Sequence, residues 1–571
     1  MRATTAPIRI PRALGVLVVC GALAASAAPA ASDALEPLAA ELWRWRATER
    51  PSSGDDIPRL ARPAGWRPEW SRPAIERRLR ELAAFEARWR ELDPAAWSVP
   101  LQVDHRLVGS ALARVRWELE VAPAWRTNPL FYVDQTLGAL FESLLAPPPF
   151  DGERAAGVLS ILASMPGTAT AAQANLDDAC APFARLAIDA LAGAEERLAT
   201  VARHLAPELP AERAALLPEA ARAAGEALAG LRSWLEAKLP ELAEETAVGR
   251  EAYLFFLREV ALSPFTPERM VEMGRQEWRR AVAFETYEAN RNRHRPPLGL
   301  PANRDQQIAT MERDMVEVRR FLEREGLQTV PEWVRFYRLR AKPAYLAPLA
   351  ALGVNNDFTA PDRLDEDGTA WIDEPSAGAG YFYRAYAADP RTQIAHESHG
   401  HYLQLVLSWA HENWLRRHYY DSGANEGIAF YNEELMLQAG LFDDRPRVRE
   451  VISNFARLRA LRVEIDVGLA LGELTIAAAA EQLAERVPMD RATALDEAAF
   501  FASAPGQAIT YQIGKLQILA LLADARSAQG EGFSLRAFHD FLWKNGNVPL
   551  ALQRWELLGD RSELAAADAL R

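Results

Sequence analysis

Five of the nine histidines in this 571-residue chain, His396, His399, His401, His411 and His418, fall between positions 396 and 418. The densest stretch reads His396-Glu397-Ser398-His399-Gly400-His401. Helical zinc hydrolases use a His-Glu pair followed by a further His: two imidazoles on one face hold the ion, and the carboxylate between them faces the attacking water. The strict H-E-x-x-H spacing is absent, because Gly400 stands four residues after His396. His399, at i+3, shares a face with His396 without any distortion. His401, at i+5, is rotated by ~140° on a regular helix and can share a metal with His396 only if the helix is bulged or broken near Gly400.

A third ligand has to come from another helix. The run from Ser422 to Glu434 leads into a helix ending near Gly440, and it carries Glu426 and Glu433, seven apart and on one face. Either acid completes a two-histidine, one-carboxylate site; the bland alternative is that both solvate a helix surface. His411 and His418, set among Trp409, Trp414 and Tyr420, lie on a different stretch and are expected to line substrate or to pack.

The elements that position these residues read as helices. Asp389-Pro390 is an N-cap followed by proline at the first helical position, which places the histidines early on a helix. Upstream, Leu79, Leu82, Phe85, Trp89 and Leu92 recur at three-and-four spacing on a helix that Ser71 and Pro73 start. Pro207, Pro210, Pro218 and Pro240 divide the Ala- and Leu-rich stretch 184–246 into several shorter helices. Pro147-Pro148-Pro149 and the segment 294–305 read as surface connections. One β-like island, from Thr369 to Tyr386, carries Trp371, Ile372, Tyr381, Phe382 and Tyr383 around a Gly-rich Ser376–Gly380 run. It predicts a hairpin or small sheet, with an edge that an extended peptide could join.

Composition narrows the functional class. The chain is 49% hydrophobic and 25% charged, as expected of a globular protein, and its net charge of −13 comes with no basic block. Nucleic acid is therefore not an expected partner. Residues 1–30 read as a signal peptide: Arg2, Arg9 and Arg12 precede an apolar stretch too short to span a membrane, followed by Ala25-Ser26-Ala27 and Ala28-Pro29-Ala30 as cleavage sites. Export to the periplasm or medium by cleavage is expected, with lipidation at Cys20 the alternative that Val18-Val19 disfavours. Cys180 then remains alone, so no disulfide holds the mature chain, and it reads as a small buried apolar residue.

Three segments carry a family resemblance: His396 to Gln404, Asn425-Glu426-Gly427-Ile428-Ala429-Phe430-Tyr431, and Ala504-Pro505-Gly506-Gln507-Ala508-Ile509-Thr510-Tyr511-Gln512-Ile513-Gly514-Lys515, joined by Arg459 to Leu469. In this order they resemble the exported bacterial family catalogued as domain of unknown function 885, which is related to zinc peptidases of the thimet-oligopeptidase and carboxypeptidase Taq types. The family's His-Glu-x-x-Pro-Gly-His is here one residue shorter and lacks the proline. The resemblance implies a mainly α, two-lobed metallopeptidase-like fold with a small β element near the active-site helix. It implies one zinc ion held by His396, His401 and Glu426, with His399 as the substitute ligand if the shortening displaces His401. Glu397 would be the general base and Tyr511 the donor to the oxyanion. As domains we expect a signal peptide over 1–30 and a single catalytic unit over 33–571, with lobes 33–262 and 263–571.

Arg459 and Arg462, three apart on one helix face, are candidates for binding a substrate carboxylate, with Lys515 beside them; the alternative for the arginines is ion pairing with Glu464, Asp466 or another acid. The expected activity is peptide-bond hydrolysis. An ester or lactone hydrolase, and a non-catalytic binding protein that lost its metal through the shortened motif, are the rival readings.

Overall fold

The structure, a computed structural model, describes residues 28–53 and 61–571. Most of the proposed signal peptide, with Cys20, lies outside the described residues. Among the described residues helix predominates, and three short strands form one sheet.

The N-terminal helices are α1 (Ala28–Glu49), α2 (Arg72–Arg90), α3 (Val99–Arg116), α4 (Gly152–Asn175), α5 (Ala181–Ala190), α6 (Ala194–Leu205) and α7 (Leu217–Lys238). Ser71 and Pro73 begin α2 as the sequence predicts, and the prolines of 184–246 fall at helix starts and short connecting turns. Among the described residues only α4 is long and apolar enough to cross a membrane, and Val158, Ile161, Leu162 and Met165 bury it in the first core. Leu42, Leu107, Leu137, Leu198 and Leu228 join that core, and so do Val548, Leu552 and Trp555 from near the C-terminus.

The second half contributes α8 (Pro267–Arg291), α9 (Arg304–Arg324), α10 (Tyr381–Ala388), α11 (Ser422–Gln438), α12 (Pro446–Ala470), α13 (Arg491–Ser503) and α14 (Ile509–Gln529). Met311, Leu405, Ile428, Phe455, Leu458 and Trp543 lie in its core. The first core also takes in Trp371, Leu415 and Tyr419 from this half, the second takes in Phe183 from the first, and a third, small core is built on Tyr253, Leu257, Val463 and Ile513. Arg416 reinforces the junction: buried, it pairs with Asp104 of α3 at 2.9 Å and with Glu556 at 2.5 Å.

The β island is half of what its composition predicts. Strand β1 (Tyr337–Ala341) runs parallel to β3 (Gly368–Ile372), and β2 (Asn356–Asp357) runs antiparallel to it. The order β1-β3-β2 makes β3 the central strand, so it offers no edge to a peptide. Tyr381 to Tyr386 are helical rather than extended. Gly380 precedes the helix in an extended conformation, Asp490 accepts the Tyr381 N–H at 3.0 Å, and the rings of Tyr381, Phe382 and Tyr386 pack on Phe455 of α12 at 5.7, 5.9 and 6.1 Å. Packing against a neighbouring helix decides the outcome over the β preference of the aromatics.

Candidate functional site

Asp389 caps the His-bearing helix, its Oδ1 accepting the Arg391 N–H at 3.0 Å. After one α-turn the backbone widens, and Ile394–Tyr402 is a π-helix. Side chains supply the hydrogen bonds that this widening demands. Asn432 donates to the Ala395 carbonyl at 2.7 Å, and the Trp543 indole to the His399 carbonyl at 2.8 Å. Gly400 lets the segment lie against α11, where a Cβ would stand 2.6 Å from the Ala429 Cα. On its other side α11 meets α14 through Gly427 and Gly514, where a Cβ on Gly427 would be 2.8 Å from the Gly514 Cα.

A turn that closes at five residues puts His396 and His401 on one face. Their Nε2 atoms are 3.2 Å apart, and Glu426 Oε2 lies 3.2 Å from that of His401 and 3.7 Å from that of His396. These three buried residues are a group able to hold a metal ion. His399 is carried to the other side of the widened turn and is not part of the group; it is buried, its Nδ1 has no partner, and burial pushes it down to about 3. Glu433 is likewise not on the Nε2 side. Its Oε1 stands 2.8 Å from His396 Nδ1, behind the ring, and 2.8 Å from Arg459 Nη2.

The outer nitrogen of each ring is engaged. His401 Nδ1 donates to Asn425 Oδ1 at 2.6 Å, and Asn425 is itself fixed by donating to Gln404 Oε1 at 2.7 Å. With the outer nitrogens protonated, two Nε2 lone pairs would face each other and an anionic oxygen, an arrangement that suits a shared cation. Glu426 Oε2 has no hydrogen-bond partner. The separations of 3.2, 3.2 and 3.7 Å bracket the ligand–ligand distance of about 3.3 Å expected around a tetrahedral ion with bonds of about 2.0–2.1 Å. The residues present therefore fit zinc.

Burial and the positive charge of Arg459 hold His396 well below the usual imidazole range. Burial also opposes charging of His401, but the Glu426 carboxylate outweighs it and raises that group. Burial alone would raise Glu426, yet the two histidines and the Tyr511 hydroxyl hold it at about 2. Glu397 is raised by burial; it accepts from Asn356 Nδ2 at 3.3 Å and from the Tyr386 hydroxyl at 3.4 Å. Tyr511 bonds Glu426, and its ring stacks with that of His396 at 6.4 Å.

The other candidates divide. Arg462 pairs with Glu497 at 2.6 Å and lies 4.4 Å over the Tyr511 ring, so the arginines pair with Glu497 and Glu433 rather than with Glu464 or Asp466. Lys515 does not line the cleft and is buried against Glu434 at 2.7 Å. His411 Nδ1 accepts the Asn413 N–H, His418 packs at a tilt on Trp414, and neither lines the cleft. Cys180 is half-buried, packed against the second core at the edge of the cleft, and burial raises its thiol. Asn356, Tyr386, Asn425 and Gln404 carry no signal in the sequence, since amides and a tyrosine acquire their roles only through contact.

The cleft above these residues encloses about 1100 Å³ and is walled by both halves, by Trp117, Phe131 and Phe256 on one side and Tyr383, Tyr386 and Tyr511 on the other.

Fold and site together define a mainly α-helical protein with a His-His-Glu group on the floor of a long cleft. The chain belongs to the bacterial protein family of unknown function DUF885, which matches residues 59–557. Two solved structures share the fold. One, a candidate lipoprotein of unknown function from Shewanella oneidensis, is 17% identical with a TM-score of 0.68, over 94% of this chain and 100% of the other. The second, a candidate lipoprotein from Colwellia psychrerythraea, is 17% identical with a TM-score of 0.73, over 94% and 99%. No curated protein matches the chain.

Proposed function

We propose that this chain is an exported zinc-dependent peptidase. The observation that carries the reading is the convergence of the His396 and His401 Nε2 atoms with an unpartnered Glu426 oxygen, one residue from the cleft-facing Glu397. The shortened motif is no obstacle, because the π-helix brings His401 to the position the spacing alone denies it.

His396, His401 and Glu426 would hold the ion. When bound, zinc supplies Lewis-acid chemistry, polarising a carbonyl and lowering the pKa of water toward ~7. Glu397 takes a proton from the attacking water and returns it to the leaving amine nitrogen, and its burial-raised pKa suits a carboxylate that must hold that proton between steps. Asn356 and Tyr386 keep both carboxylate oxygens aimed. The Tyr511 hydroxyl, released from Glu426, donates to the developing oxyanion. A cleft of about 1100 Å³ exceeds the roughly 300–1,000 Å³ of small-molecule sites and favours peptides over small esters or lactones.

Elemental analysis of the purified mature protein tests the reading. One zinc per chain that is lost in His396→Ala, with peptide hydrolysis lost in Glu397→Gln, is expected; no metal after reconstitution with excess zinc refutes it. The mass of the mature N-terminus separates cleavage near Ala27 or Ala30 from lipidation at Cys20, the route that the descriptions of the two structural neighbours favour.

A further inference from the structure

We infer that Glu433, held by Arg459, is a positioning residue that sets the ring of His396; this rests on the reading of His396, His401 and Glu426 as metal ligands. Glu433 is fully buried on α11, two turns beyond Glu426. Seven residues at 1.5 Å rise separate the two acids by ~10.5 Å along the helix, so the His396 ring lies between them, Nε2 toward Glu426 and Nδ1 toward Glu433. A carboxylate without solvent must be compensated, and here Arg459, 1% exposed, does so at 2.8 Å. Phe430, Phe455 and Tyr511 surround that guanidinium at 5.4, 5.1 and 5.7 Å, which fixes its plane.

The two imidazoles are thus held differently. His401 leans on an amide, Asn425, and His396 on the Glu433–Arg459 pair, whose carboxylate stands 2.8 Å and whose guanidinium 3.4 Å from Nδ1. A carboxylate behind a ligating imidazole fixes its tautomer and raises the donor strength of the opposite nitrogen. Glu433 is accordingly the group that sets the orientation of the His396 ring, and Arg459 keeps Glu433 from turning to the metal side.

The test is a zinc competition titration of the full-length mature chain against a chromophoric chelator, on wild type, Glu433→Gln and Glu434→Gln. Glu434 is the neighbouring acid that pairs with Lys515 and Arg280, away from the histidines, and reports a purely structural loss. Glu433→Gln is expected to weaken zinc binding 10- to 100-fold with helicity retained, and Glu434→Gln to leave it unchanged. In the metal-free chain, nitrogen NMR of labelled histidine should show the His396 Nδ1–H signal move in Glu433→Gln alone. Unchanged zinc affinity in folded Glu433→Gln, or an unmoved signal, overturns the assignment. Should the wild type take up no zinc, the ligand reading falls, and the NMR comparison still decides whether Glu433 holds His396.

Discussion

Gly400→Ala isolates the packing that builds the site. Gly400 has no left-handed backbone, so alanine meets no conformational barrier, and the effect is steric. Its new Cβ would lie 2.6 Å from the Cα and 2.7 Å from the Cβ of Ala429, against an ordinary contact of 3.4 Å or more. The π-helix must therefore retreat from α11 by about 0.8 Å. That retreat takes the 3.2 Å spacing between His401 and Glu426 to roughly 4 Å, well outside the ~0.2 Å tolerance of a metal site. Overpacking of this kind costs about 1–3 kcal/mol. With an unfolding entropy of ~2.1 cal/mol/K per residue, a chain of this length loses only about 1 °C per kcal/mol, so Tm should fall by about 1–3 °C. Zinc affinity should fall more than about tenfold, the site failing long before the fold. Gly157→Ala is the control: it lies in α4 with nothing within 4 Å of a new Cβ and should stabilise by about 0.5–1 kcal/mol. A Gly400→Ala protein that melts with wild type and binds zinc within twofold of it would refute the reasoning.

Glu397→Gln should keep the metal and lose about 10²–10⁴-fold in peptide turnover, whereas Tyr511→Phe should lose about 3 kcal/mol of barrier stabilisation, both read from kcat/KM on a peptide cleaved by wild type. Arg416→Met leaves Asp104 and Glu556 buried without their cation and should destabilise by about 3–5 kcal/mol in denaturant titrations; adding Asp104→Leu and Glu556→Leu should recover most of the loss. Burial holds Asp421 at about 6 against 3.8, so the folded protein binds this proton more tightly than the unfolded chain does. Its stabilising effect is complete below the unfolded value and is lost as pH rises through about 6. Asp421→Asn, which keeps the capping acceptor of α11, should match wild type near pH ~4 and exceed it by up to about 3 kcal/mol above pH ~7. Parallel stability curves would contradict this.

Local chemistry was legible wherever it was local. Asp389-Pro390 starts its helix, Ser71 and Pro73 start α2, and the prolines of 184–246 divide the helices they were expected to divide. The bulge that His396 and His401 require could be stated from the spacing as a condition. What satisfies it could not, because Asn432 and Trp543 lie 37 and 144 residues from the carbonyls they satisfy. The same holds for Glu433: a shared helix face with Glu426 says nothing about which side of a ring each acid reaches. Tyr381 to Tyr386 read as strand because aromatics favour sheets in general, whereas here Phe455 supplies a helical surface for them. Lys515 read as a free cation because Glu434 is distant in sequence.

The first core is finished by residues far along the chain from those that begin it. Val548, Leu552 and Trp555 fill it, and Glu556 anchors Arg416 to Asp104 across it. A polypeptide that emerges N-terminus first has made Leu42 to Leu228 long before these residues arrive, and until then that half has an open apolar face. Closure of that face thus waits for a segment made long after the helices it covers.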